Sequence, residues 1–181
     1  MFSTPTKPKG NFGYVYRGGD DYHKDKFYKY GIAFFAKEIK GAEEYRRGGL
    51  YSQSLFRYAF KRPPTLIYDT DERFQTFVTK MYNDKKPFED LLEEDETFDN
   101  AFPYEKVNNA WKRRTTNADV DYTFYAKSKK VFGDDFDGII TGPEVILYDA
   151  NDILYNFERL TSTDENEGKE GNKSGGKRIK F

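Results

Sequence analysis

The chain has 181 residues, with 30 Lys and Arg against 31 Asp and Glu and a formal net charge of -1. That balance excludes the broad basic footprint of a protein that binds duplex nucleic acid or an anionic membrane. With no Cys and one His, the sequence also excludes a disulfide framework, a thiolate metal site, a Ser-His-Asp triad and a two-histidine metal site. The length suits one domain with its own core, and 17 Phe and 15 Tyr supply much of that core. The start of the chain has no apolar run of signal-peptide length, and no apolar run is long enough to span a membrane. Together with the missing cysteines, this points to a reducing, cytoplasmic compartment.

Residues 1–10, rich in Pro and Lys, read as a loose lead-in. Phe12 to Arg17 carries the aromatic and β-branched residues of a strand, which Gly18-Gly19-Asp20-Asp21 is expected to stop. The polar run from Gly18 to Lys26 makes His23 a solvated residue. Gly31 to Ala36 reads as a buried strand, and Lys37 to Arg47 as a helix ended by Gly48-Gly49. Ser54 to Phe60 alternates as a strand does, Pro63-Pro64 breaks it, and Thr65 to Tyr68 resumes. The segment 71–118 reads as a helical insertion. Asp71 caps a helix whose Phe74, Phe77, Val78 and Met81 share one face. Pro87 opens a second helix running into the acidic stretch Glu93 to Glu96, and Pro103 precedes a third that includes Trp111. Asp119 begins a fourth helix ending at Gly133, with Tyr122, Tyr125, Ala126 and Lys129 on one side. Phe136 to Thr141 and Glu144 to Tyr148 flank Gly142-Pro143 as paired strands. The fold class is therefore α+β over residues 1–160, and the polar composition of 161–181 predicts a disordered tail.

Three separated pieces fit one chemistry. In Val15-Tyr16-Arg17-Gly18-Gly19, an arginine at a strand end followed by glycines leaves a guanidinium and backbone to meet a pyrophosphate or ribose; the plain alternative is a surface turn. Phe34 in Gly31–Ala36 and the later Tyr45 can form two walls of a slot for a flat ring, or simply join the core. Glu144 opens an apolar strand directly after Gly142-Pro143. It reads either as a carboxylate facing a cleft or as a solvated turn residue.

An aliphatic-Tyr-Arg-Gly strand, then Gly-Ile-x-Phe-x-Ala with a following Tyr, then Asp-Gly-Ile-Ile and Pro-Glu-Val-Ile-Leu-Tyr-Asp, resembles the ADP-ribosyltransferase superfamily over residues 12–68 and 119–155. The middle piece is similar to the Gly-Ile-Tyr-Phe-Ala segment of poly(ADP-ribose) polymerases and diphtheria-type toxins. Arg17 stands where those enzymes carry His and matches the cholera- and C3-type branch. Gly142 stands where that branch carries Gln or Glu, so the features are mixed. The resemblance implies a split antiparallel sheet with flanking helices, NAD as substrate, no metal, and transfer of ADP-ribose with release of nicotinamide. It implies Glu144 as the catalytic carboxylate, Arg17 and Gly18 at the pyrophosphate or ribose, and Phe34 and Tyr45 around the nicotinamide. The implied partner is a macromolecular acceptor, protein in preference to nucleic acid, and the implied role is that of a toxin-like bacterial or phage effector acting inside a host cell. A non-catalytic binding or inhibitor protein, with this or another α+β fold, is the other reading of the same residues.

Overall fold

Continuous apolar runs such as Ile139-Ile140 and Val145-Ile146-Leu147 call for a sheet covered on both faces, and the computed structural model has that architecture. It describes residues 13–19, 31–42 and 54–162. In chain order the elements are β1 (Tyr14–Gly19), β2 (Ala33–Ala36), β3 (Ser54–Phe60), β4 (Leu66–Tyr68), α1 (Glu72–Asn83), α2 (Lys86–Glu89), α3 (Phe98–Ala101), β5 (Tyr104–Val107), β6 (Ala110–Arg113), α4 (Ala118–Phe132), β7 (Gly138–Thr141), β8 (Glu144–Leu147), α5 (Ala150–Ile153) and β9 (Leu154–Ser162). Among the described residues, seven strands form one sheet in the order β4-β7-β8-β2-β1-β3-β9. Only the β4–β7 pair is parallel; the rest pair antiparallel. Among the described residues no helix is long and apolar enough to cross a membrane.

The period of two sorts the side chains onto two faces. Ile67, Ile139 and Ile146 point to one side, where they join Phe74, Phe77, Val78 and Met81 of α1 and Val120, Phe124 and Tyr125 of α4. Leu66, Ile140, Val145 and Leu147 point to the other, against Val15, Phe35, Phe56, Tyr58 and Ala150 and Ile153 of α5. The helical face is built largely of rings: Phe124 packs on Phe74, Phe77, Phe102, Tyr104 and Tyr125 at centroid distances of 4.9–6.3 Å.

Several expectations hold. Asp71 caps α1, accepting from the Arg73 backbone N–H at 2.9 Å, and Pro87 lies in the first turn of α2, although that helix ends at Glu89 and does not reach the acidic stretch Glu93 to Glu96. The strands around Gly142-Pro143 pair as β7 and β8. Others are corrected. The segment after Pro103 is a hairpin, not a helix: β5 and β6 pair antiparallel, and Trp111 lies on a strand. The link Asn108-Asn109 takes φ of 52° and 68°, the left-handed pair that a tight hairpin requires and that Asn tolerates. So 71–118 holds three helices and a hairpin. Helix α4 starts one turn-position earlier than read, because Asn117 is its cap: the amide oxygen accepts from the N–H groups of Asp119 and Val120 at 2.9 and 3.0 Å. β1 runs through Gly18 and Gly19, because both pair with β3. β9 continues past residue 160, with Thr161 opposite Leu55 and Ser162 opposite Ser54. The lead-in 1–10, His23, Tyr45, residues 43–47 of the expected 37–47 helix and the tail from 163 lie outside the described residues; within that helix, 37–38 form a bend and 39–42 are helical.

Candidate functional site

Glu144 is placed by the β7–β8 turn. Gly142 adopts φ +58°, the left-handed region open to glycine, and this lets the chain reverse so that Glu144 faces Thr141 across the hairpin. On its other side Glu144 faces Ala36 of β2, while Phe34 faces Ile146 two residues along. Residues opposite each other share a face, so Thr141, Glu144, Ile146, Phe34 and Ala36 all lie on the helical side of the sheet.

There Glu144 meets a charge delivered by the hairpin. Arg113, the last residue of β6, donates from Nε to Glu144 Oε1 at 2.8 Å. Its Nη1 and Nη2 donate to Asp121 Oδ1 and Oδ2 of α4, each at 3.1 Å, and Nη1 also reaches the Arg114 carbonyl at 2.8 Å. This is the planar fork that matches a carboxylate on two points. Phe34 and Tyr125 both lie near the guanidinium, with ring centroids 5.9 and 5.4 Å from Cζ. Tyr122 and Tyr125 meet Phe34 edge-on at 5.1 and 5.6 Å. The side chains of Arg113 and Asp121 are 7% and 8% exposed, whereas Glu144 is 27% exposed. The carboxylate therefore sits at the rim of a buried ion cluster. Burial works against the Arg113 charge, but Tyr125, Asp121 and Glu144 outweigh it and raise its pKa.

A hydroxyl chain extends inward from this cluster. Tyr125 and Tyr104 share a hydrogen bond at 2.8 Å, Tyr104 donates to Thr141 Oγ1 at 3.3 Å, and Thr141 donates to Asp69 Oδ2 at 2.6 Å. Each hydroxyl has one proton. With Asp69 accepting at the end, the direction is Tyr125 to Tyr104 to Thr141 to Asp69. Burial raises both phenols and lifts the Asp69 carboxyl above its ordinary range, the Thr141 hydrogen bond opposing.

The structure brings together two of the residues singled out in the sequence, Phe34 and Glu144. Arg17 lies on the opposite face, its guanidinium 5.8 Å from the ring centroid of Phe35. Gly18 is buried and pairs with Leu55 of β3, so it is part of the sheet and not an open turn. Tyr45 is outside the described residues. Sequence reading gave no site role to Arg113, Asp121 or Tyr125, the last of which it placed only on a helix face. Asp121, Tyr125 and Ser128 recur along the buried face of α4, and an acidic residue in phase with such a stripe is the signal that asks for a buried cation. No protein-family model, no curated protein and no solved structure matches the chain.

Proposed function

We propose that this protein cleaves NAD at the nicotinamide–ribose bond and transfers ADP-ribose to a macromolecular acceptor, protein in preference to nucleic acid. The observation that carries the reading is the sheet order β8-β2-β1. Three segments far apart in sequence, Glu144 to Leu147, Ala33 to Ala36 and Tyr14 to Gly19, lie on adjacent strands, with Phe34 and Glu144 on one face. The split-sheet architecture of ADP-ribosyltransferases is part of the proposal. In it Glu144 accepts a hydrogen bond from the ribose 2′-hydroxyl and stabilises the positive charge that develops on the ribose as nicotinamide leaves. Phe34 forms one wall against the nicotinamide, and Tyr45 is assigned the other by resemblance. The setting is cytoplasmic, as for a toxin-like effector.

The placement of Arg17 against Phe35 favours a second reading, a non-catalytic binding protein, because it keeps that guanidinium off the Glu144 face. Nicotinamide release from NAD, with and without cell lysate as acceptor source, separates the two. Glu144→Gln keeps shape and hydrogen bonding but loses the charge, so release falls by about 10²-fold or more while NAD affinity changes little. Equal rates for variant and wild type refute the role of Glu144, and no release by wild type under any acceptor condition supports the binding protein.

A further inference from the structure

We propose that Arg113 is a positioning residue for Glu144, with Asp121 as its anchor, and that the hairpin β5–β6 exists in part to deliver it. The inference rests on the ADP-ribosyl-transfer reading above and adds to it a residue from the 71–118 segment, which the family resemblance does not cover. The geometry is specific. Two of the guanidinium nitrogens are bound to Asp121 at 3.1 Å and one of these also to the Arg114 carbonyl at 2.8 Å, which leaves Nε for Glu144 at 2.8 Å. Phe34 and Tyr125 lie side by side next to the guanidinium. Arg113 cannot turn without losing a two-point charge-assisted pair, so the direction it imposes on Glu144 Oε1 is set by α4. The difference in exposure, 7% for Arg113 against 27% for Glu144, leaves the carboxylate held from the protein side and open from the solvent side. That is the condition for a group that must meet a reacting ribose without searching for its rotamer.

The hairpin is in turn held rigid. Gln75 of α1 accepts from the Trp111 N–H at 2.9 Å and donates to the carbonyls of Trp111 and Asp69 at 3.2 and 2.8 Å. The Trp111 indole donates to Thr79 at 2.9 Å. The strand carrying Arg113 is therefore strapped to α1 and to the end of β4.

A purely structural ion cluster would show the same contacts, so the test must separate the two roles. Arg113→Lys keeps the charge, but a point ammonium cannot engage Asp121 on two points and Glu144 together. The kcat and KM for NAD are read from nicotinamide release for wild type, R113K, E144Q and the double variant, with urea melts alongside. R113K is expected to lower kcat about 10-fold or more, within the range that a misplacement of ~1 Å costs. In the E144Q background it is expected to lower kcat by less than about 2-fold, because the group it acts through is already gone. Should R113K not fold, Asp121→Asn, which loosens the anchor and leaves Arg113 in place, is expected to show the same non-additivity. Equal fold-losses in both backgrounds, or an unchanged kcat in the wild-type background, overturn the positioning role and leave the reading of Glu144 standing. A folded wild type that releases no nicotinamide overturns both.

Discussion

Arg113→Met isolates the energetic weight of the buried cluster. Met keeps an unbranched chain beside Phe34 and Tyr125 but removes the charge facing Asp121. Both partners are nearly sealed from water, at 7% and 8% exposed, so solvent screening does not rescue the remaining carboxylate. Removing one member of such a pair costs about 3–5 kcal/mol. Glu144, 27% exposed, can turn to water and adds little. For a chain of this size the expected drop in Tm is about 6–20 °C. The pH dependence follows from Asp121, whose carboxyl is raised by burial with Arg113 opposing. Without Arg113 the rise is larger. A carboxyl raised in the folded state contributes stability that is fully present below its unfolded value and lost as pH rises through its folded value. The deficit of the variant is therefore largest at neutral pH and shrinks as pH falls towards about 4. Adding Asp121→Asn recovers part of it, since no buried charge is then left unpaired. Urea melts across that pH range, with the denaturant slope held constant, provide the measurement. A neutral-pH deficit below about 1 kcal/mol, the level of an exposed pair, or a deficit independent of pH, refutes the reasoning.

Gly138→Ala would drive a Cβ into the Ile146 carbonyl oxygen of the paired strand. Backbone must then move where β7 meets β8, so a loss of about 1–3 kcal/mol or more is expected in the same melts, and a silent substitution would disprove the close approach. Burial raises the phenols of Tyr104, Tyr125 and Tyr148 above the ordinary 10.0. The folded state keeps protons that the unfolded state releases, so stability falls as pH rises above about 10. In an ultraviolet titration these phenols should ionise only together with the loss of circular dichroism, and ionisation ahead of unfolding would show that they are not sealed.

Much of the fold was legible in the sequence because it rests on local chemistry. The alternation in Ser54 to Phe60 and the Asp71 cap with Phe74, Phe77, Val78 and Met81 each report their own element. So does the Gly-Pro turn between two apolar runs, since a period of two or of 3.6 is written in neighbouring residues. The hairpin β5–β6 escaped because its strands bury little beyond Tyr104 and Trp111. The turn at Asn108-Asn109 was the available cue.

The site divided along the same line. Glu144 and Phe34 were visible as residues of the right type beside glycine turns. Which side of the sheet each faced was not visible, because that depends on the register of β8 against β2 and of β2 against β1. A shift of one residue reverses every side chain. That register puts Arg17 on the far face with Phe35 and keeps Glu144 with Phe34. The cation that meets Glu144 comes from 31 residues earlier in the chain, and the anchor for that cation from 8 residues after it. No local pattern links Arg113, Asp121 and Glu144. A buried carboxylate requires a partner, but only the packing of the hairpin and α4 against the sheet decides that the partner is Arg113.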